Sequence, residues 1–451
     1  MLETIQRLLK EKKYQELREL LENMNPADAA AEFEELFEEM EGGENLLLLF
    51  RLLPKDLAAE TFAYMNTDMQ KHLLQVFTDR EIQEVFENTF MDDTVDIIEE
   101  MPANVVKRII QNSDAESRRI INDILRYPED SAGSIMTTEY VTLRRDMTTS
   151  EAIKRIRRVG VNKETIYTCY VTSDERKLVG MASVRDLLTA PEEALIGDIM
   201  ETNLISVKTH DDKELVAKML GKYDFIALPV VDNENRLVGI VTFDDAMDVM
   251  QEENTEDFEK MAAVMPSDDS YLHTSVWAHA KKRIPWLLVL MLSSTITGML
   301  ITKYENAFAV IPLLVSFIPM LMNTGGNCGS QTSTMVIRGL ALDEIEFKDF
   351  FKVIFKEVRI ALIVGIVLAV VNGVRIYLSY GRDIQLAGVL TGTLICTVII
   401  SKMIGCILPM AAKKVHLDPA LMAAPLITTI VDSCSVWIYF QIAMRVFEIA
   451  V

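Results

Sequence analysis

The sequence predicts a multidomain chain of four parts. An α-helical, superhelical N-terminal domain occupies residues 1–130, a tandem pair of α/β domains 131–250, an acidic connecting helix with its linker 251–280, and a five-helix transmembrane domain 281–451. Three observations predict this order. Charge and hydropathy divide the chain near residue 280. Residues 1–280 hold 57 Asp+Glu against 30 Lys+Arg, a net of −27, and residues 281–451 hold 10 against 15, a net of +5, recovering the −22 of the whole. A stretch of the soluble half recurs 59 residues later, and five long apolar stretches fill the remainder.

The first part carries short apolar stripes at helical spacing, as in "ADAAAEFEELFEEM" and "VDIIEEMPANVVKRIIQ". Pro26, Pro54 and Pro102 stand near helix starts, where a missing N–H costs little, and Gly42–Gly43 reads as a loop. Repetition of this proline-punctuated unit implies a small superhelix. The acidic balance excludes a nucleic-acid partner, whose phosphates need a basic footprint. It suits cations, with a merely solvated surface as the plain alternative. Cys169, Cys328, Cys396, Cys406 and Cys434 form no CxxC pair, so neither a disulfide framework nor a zinc site is expected. The N-terminus is amphipathic without an apolar h-region, so no cleaved signal peptide is expected and the soluble half belongs in the cytosol.

"LVGMASVRD" (178–186) and "LVGIVTFDD" (237–245) mark the repeat. Each follows an extended segment and a polar turn, with a helical stretch before it, which fits two β-α-β-β-α units of roughly 60 residues. The pattern resembles a pair of CBS domains, with Gly180, Ser183, Asp186 and Gly239, Thr242, Asp245 in matching places. Nothing catalytic lies in it. Residues 246 to about 270 read as a long acidic helix ending before Pro266, and Trp277, Lys281–Arg283 and Trp286 form an interfacial anchor.

The apolar stretches fall at about 284–302, 308–335, 355–378, 386–411 and 420–444, each long enough to cross ~30 Å of hydrocarbon. Lys281, Lys282, Arg283, Arg338, Lys348, Lys352, Lys356, Arg359, Lys413 and Lys414 outnumber Lys303, Arg375, Arg382 and Arg445 on the other side. The count places the soluble half in the cytosol and the C-terminus outside. In the second stretch, Pro319, Gly325, Gly326 and Gly329 predict a weakened helix where Asn323, Asn327, Ser330, Gln331 and Thr332 gather, as in a polar pathway; close packing through small residues is the alternative. In the fifth, Asp418 precedes Pro419 as a helix cap, and Asp432 lies fourteen residues on, with Thr428 and Thr429 sharing its face. A carboxylate at that depth costs at least about 2.5–3.5 kcal/mol, which makes it a cation site by default, with a structural pair to Lys402 as the alternative.

"NTGGNCGSQ" and "LDPALMAAPLITTIVD" resemble the signature segments of the MgtE family of magnesium channels, and the domain order is similar over essentially the whole chain. The resemblance implies a homodimer with one pore, Asp432 of both subunits facing the axis, and Asn327, Asp418 and the backbone near Pro425 helping to frame the ion path. It also implies closure by cytosolic Mg²⁺ at Asp92, Asp96, Asp212, Glu214, Asp224, Asp245, Glu253, Glu256 and Asp257. CBS pairs bind adenine nucleotides, so ATP is expected near Arg185, Asp186 and Phe225, although Thr168 stands where an aromatic would stack on the base. No P-loop accompanies the pore, so passive Mg²⁺ entry is expected. The alternatives are a carrier for Co²⁺, Ni²⁺ or Mn²⁺ and a membrane-anchored metal or nucleotide sensor. His72, His210, His273, His279 and His416 form no constellation, so no enzyme is expected.

Overall fold

A computed structural model describes residues 1–39, 44–267, 271, 274–304, 311–381 and 383–448; Gly42–Gly43, His273 and Arg382 lie outside them. The chain forms two compact units, Met1–Met250 and Gln251–Val451. The first begins with ten short helices among the described residues, from Leu2–Lys10 to Ala115–Ile124. Their stripes supply a core that includes Phe33, Leu49, Phe62, Leu73 and Ile109, and this core continues into Val216, Leu228 and Val241 of the second repeat. One helix, Met91–Glu100 (α1), carries Asp92 and Asp93 in its first turn, where they complement the positive end of the helix.

The two repeats form separate three-stranded sheets. Strand Thr142–Leu143 (β1), helix Thr149–Val159 (α2), strands Thr168–Thr172 (β2) and Leu178–Ser183 (β3), and helix Val184–Thr189 (α3) make the first. Val207–Lys208 (β4), Lys213–Tyr223 (α4), Ala227–Val231 (β5), Leu237–Thr242 (β6) and Phe243–Met261 (α5) make the second. In each, the first pair of strands is parallel and the second antiparallel, with Gly180 opposite Val171 and Gly239 opposite Val230. The repeated glycine is a packing requirement. A Cβ at Gly239 would fall 2.6 Å from Met136 Sδ, and one at Gly180 would strike Met200. The repeated S/T-x-x-D has a local explanation as well. Ser183 and Asp186 close a capping box at the start of α3, and Thr242 donates its hydroxyl to Asp245 at the start of α5.

The acidic helix α5 ends earlier than the sequence suggests. Ala263 takes a left-handed turn at φ 56°, and the Met265 N–H turns back to the Lys282 carbonyl. The second unit then holds five long helices among the described residues: Val276–Lys303 (α6), Ile318–Ala341 (α7), Phe350–Ser379 (α8), Ile384–Lys414 (α9) and Ala424–Val446 (α10). Helices α6 and α9, and Pro419–Val446 including α10, are long and apolar enough to cross a membrane by length and composition. Outward faces such as Leu287, Leu292 and Met299 on α6, and Ile363, Val367 and Val371 on α8, are exposed, as lipid contact requires.

Two expectations about backbone change here. Helix α7 is continuous through Gly325, Gly326 and Gly329, with Pro319 in its first turn where no hydrogen bond is lost. The glycines serve close packing instead. A Cβ at Gly325, Gly326 or Gly329 would come within 3 Å of Thr397, Thr428 or Ile427 respectively, and the Gly329 carbonyl lies against Gly405 of α9. The irregular backbone is at the entry to the fifth stretch, where a 3₁₀ turn, Pro419–Met422, breaks before α10. The Met422 carbonyl freed by that break accepts from Ser333 Oγ at 2.8 Å.

Candidate functional site

Asp432 lies in the middle of α10, half-buried. Among the described residues it makes no hydrogen bond or ion pair. Its neighbour one turn back, Thr428, packs against position 326 of α7, so Asp432 follows the α7–α10 contact along the same face. Thr428 and Thr429 both donate to the Pro425 carbonyl at 2.9 Å, which leaves their oxygens as acceptors. On α7, Asn323, Asn327 and Gln331 form an exposed polar stripe, in which Asn327 Nδ2 donates to Asn323 Oδ1 at 3.3 Å. The oxygens of Thr428, Thr429 and Asp432 lie on a helix long and apolar enough to cross a membrane, and such oxygens are what a hydrated cation would use.

The alternative of an Asp432–Lys402 pair is corrected by the structure. Lys402 Nζ lies 3.7 Å from Glu357 Oε2 and donates to Thr332 Oγ1 at 3.0 Å. Sequence reasoning missed Glu357 because it sits among Lys352, Lys356 and Arg359 and reads as part of a basic flank. Its place inside the helical run Phe350–Ser379 was the available signal. Asp418 caps the 3₁₀ turn through the Ala420 N–H at 2.8 Å, and its other oxygen pairs with Lys260 of α5 at 2.7 Å. Burial opposes the charge on Lys260, but hydrogen bonds to Asp418 and Glu256 more than offset this and hold its pKa above the usual lysine range.

In the first unit, helix packing gathers acids that are far apart in sequence. Asp92, Asp93 and Asp96 of α1 meet Asp244 and Asp245 of α5, with Glu139 and Glu164 beside them. The Met91 N–H donates to Glu139 Oε2 at 3.3 Å. Burial, then the neighbouring carboxylates, push Asp92 and Asp245 up to about 7 and Glu164 up to about 9. Asp96 rises to about 8 from the same causes, although its side chain remains exposed and water damps the effect there. Sequence reasoning found Asp92, Asp96 and Asp245 but missed Glu139 and Glu164, which no spacing links to them.

The other predicted acids lie on, or at the ends of, α4 and α5. Asp212 caps α4 through the Glu214 N–H, Glu214 pairs with Lys218 at 2.6 Å, and Asp224 ends α4 in a left-handed conformation. Glu253, Glu256 and Asp257 lie along α5. Among the described residues no three His, Cys, Asp or Glu side chains are arranged to enclose a metal ion. Arg185 and Asp186 begin α3, while Phe225 stacks on Tyr223 at 5.6 Å in the other repeat. A cleft of ≈ 330 Å³ in this region opens elsewhere, beside Tyr140, Arg155, Lys163 and Arg176.

Residues 318–442 match the family model MgtE, a divalent cation transporter; residues 30–130 match the MgtE intracellular N domain; and 132–193 and 196–252 match CBS domains. The magnesium transporter MgtE of Thermus thermophilus is 34% identical over 99% of this chain and 98% of its own length. The chain belongs to the MgtE family. The Bacillus subtilis magnesium transporter MgtE is 32% identical, covering 97% and 95% of the two chains. A crystal structure of the cytosolic domain of the Mg²⁺ channel MgtE in complex with ATP superposes with a TM-score of 0.52 at 36% identity, covering 55% of this chain and all of that one.

Proposed function

We propose that this MgtE-family magnesium transporter passes Mg²⁺ across the membrane passively, with Asp432 as the ion's ligand, and closes when Mg²⁺ fills acidic sites on its soluble part. Magnesium transport rests on the full-length relatives. The single observation that supports the path is Asp432 itself, an acid in a membrane-type helix with no cationic partner among the described residues. Mg²⁺ sheds water reluctantly and demands octahedral geometry. Carboxylates and amides can therefore hold it through its water shell, the Asn327 amide among them. The potential supplies the drive, about 4.6 kcal/mol per 100 mV for a double charge.

A second copy of the chain supplies the matching half of the path, as the exposed polar stripe on α7 supports. In this reading the soluble parts face the cytosol of the plasma membrane and the C-terminus faces outward. Residues 1–130, 131–250 and 251–280 sense, and 281–451 conducts. When Mg²⁺ is scarce, the carboxylates around Asp92 and Asp245 repel; bound Mg²⁺ bridges them and favours the compact state, by its differential affinity alone. ATP binds the CBS pair near Arg185, Asp186 and Phe225, a reading supported by the ATP complex of the similar cytosolic domain.

The test is Mg²⁺ influx into proteoliposomes under an imposed potential, with Mg²⁺ varied on the side of the soluble part. The proposal expects influx that falls as that Mg²⁺ rises. Influx indifferent to it removes the feedback, and faster Ni²⁺, Co²⁺ or Mn²⁺ entry moves the cargo to the wider divalent class.

A further inference from the structure

Glu357, Lys402 and Thr332 form a closed polar triad that the transport reading does not use. Lys402 is 5% exposed and Thr332 2%. The Lys402 ammonium donates to Thr332 Oγ1 at 3.0 Å and stands 3.7 Å from Glu357 Oε2, and the Thr332 hydroxyl donates to that same Oε2 at 2.9 Å. The three residues come from three helices, α9, α8 and α7.

An ion pair between α8 and α9 alone would satisfy both charges at this depth. The third corner is what asks for a reason. One hydroxyl accepts from the ammonium and donates to the carboxylate, so it keys α7 to both partner helices. That key matters at the middle of α7. Gly325, Gly326 and Gly329 let α9 and α10 approach closely and offer no side chain there, while Leu321 and Val336 pack to either side and Ser333 Oγ donates to the Met422 carbonyl. Thr332 follows Asn327 by five residues, about 140° around a helix of ~3.6 residues per turn. Fixing the azimuth of Thr332 therefore fixes that of the Asn323–Asn327–Gln331 stripe on the far side.

We infer that the Glu357–Lys402–Thr332 triad is a positioning device for the ion path: the charge pair holds Thr332, and Thr332 sets the rotational register of the helix that presents Asn327. The inference rests on the transport reading of Asp432 and adds these three residues to it. They touch no ion; they act through α7.

The experiment compares full-length wild type, Thr332→Val and Thr332→Ser in proteoliposomes. Valine keeps the shape of threonine and loses both bonds, whereas serine keeps the hydroxyl. The readouts are the ratio of Mg²⁺ to Ni²⁺ influx and the rate at which a methanethiosulfonate reagent modifies Asn327→Cys in a chain stripped of its native cysteines. Thr332→Val is expected to lower the ratio about tenfold, well within the loss that a misplacement of ~1 Å produces, and to change the modification rate. Thr332→Ser should match wild type in both. The double variant Glu357→Gln/Lys402→Gln, which removes both charges together, should behave like Thr332→Val and serves if the valine variant does not fold. An unchanged ratio and modification rate in Thr332→Val or the double variant would overturn the inference, as would a serine variant as defective as valine. If wild type carries no Mg²⁺, the transport reading fails by itself, and the modification rate still decides whether the triad sets the register.

Discussion

Carboxylates are held in different ways in the two units. In Gln251–Val451, Glu357 is enclosed with Lys402 and Thr332, and Asp418 is matched to Lys260. In Met1–Met250, Asp92, Asp93, Asp96, Asp245 and Glu164 crowd together, and the charges that most raise their pKa values are other carboxylates. Asp432 belongs to the membrane-type unit by position but resembles the soluble cluster in lacking a protein cation among the described residues. The difference separates two uses of an acid. Where the chain supplies the counter-charge, the acid builds structure; where it does not, the proposed function assigns the counter-charge to a cation from solution.

The sharpest way to break this comparison is to neutralise one acid of each kind. Glu357→Gln leaves the Lys402 ammonium buried without its counter-charge and should cost about 3–5 kcal/mol, read as a lower unfolding temperature of the detergent-solubilised protein. Asp432→Asn removes a charge with no partner among the described residues and should be neutral or stabilising in the same assay. Equal destabilisation by both would erase the distinction.

A smaller effect, opposite in sign to most core substitutions, is expected at the acidic cluster. Asp245→Asn should stabilise the metal-free protein at pH 8 by about 1–3 kcal/mol, since each pKa unit of upward shift stands for roughly 1.4 kcal/mol and water and coupling reduce the sum. The same shifts fix the pH dependence. Asp92 and Asp245 are raised from 3.8 to about 7, so between those values the folded state holds more protons than the unfolded one. Stability contributed by these groups is thus full below pH 4 and lost as pH rises toward 7 to 8. Unfolding temperature without Mg²⁺ should fall from pH 5 to pH 8, and added Mg²⁺ should restore it most at pH 8. A rising trend, or no Mg²⁺ effect, would separate the cluster from metal binding.

The smallest effect belongs to the matched pair nearest water. Lys260 and Asp418 keep 21% and 31% of their side chains exposed, so Lys260→Gln should cost less than about 1 kcal/mol in the unfolding assay. A larger loss would mean that this pair resembles the Glu357–Lys402 bridge.

Much of the architecture was legible because it is periodic. The 59-residue repeat announced the two sheets, and apolar length announced the long helices. What sequence could not show depended on contact between distant segments. Gly325, Gly326 and Gly329 read equally as helix breakers or as packing faces, and only the neighbouring Thr397, Thr428 and Ile427 decide the matter. Lys402 stood out as a base within an apolar stretch, yet its partner is 45 residues upstream on another helix. Glu139 and Glu164 join the acidic cluster through tertiary packing alone.

The most direct test of the central claim is Mg²⁺ influx by Asp432→Ala beside wild type, in proteoliposomes under the same imposed potential, with both proteins shown to be folded. Loss of influx in the variant, with wild type conducting, is the result expected of an acid that serves as the ion's ligand. Equal influx in both would contradict the account and return Asp432 to a structural role.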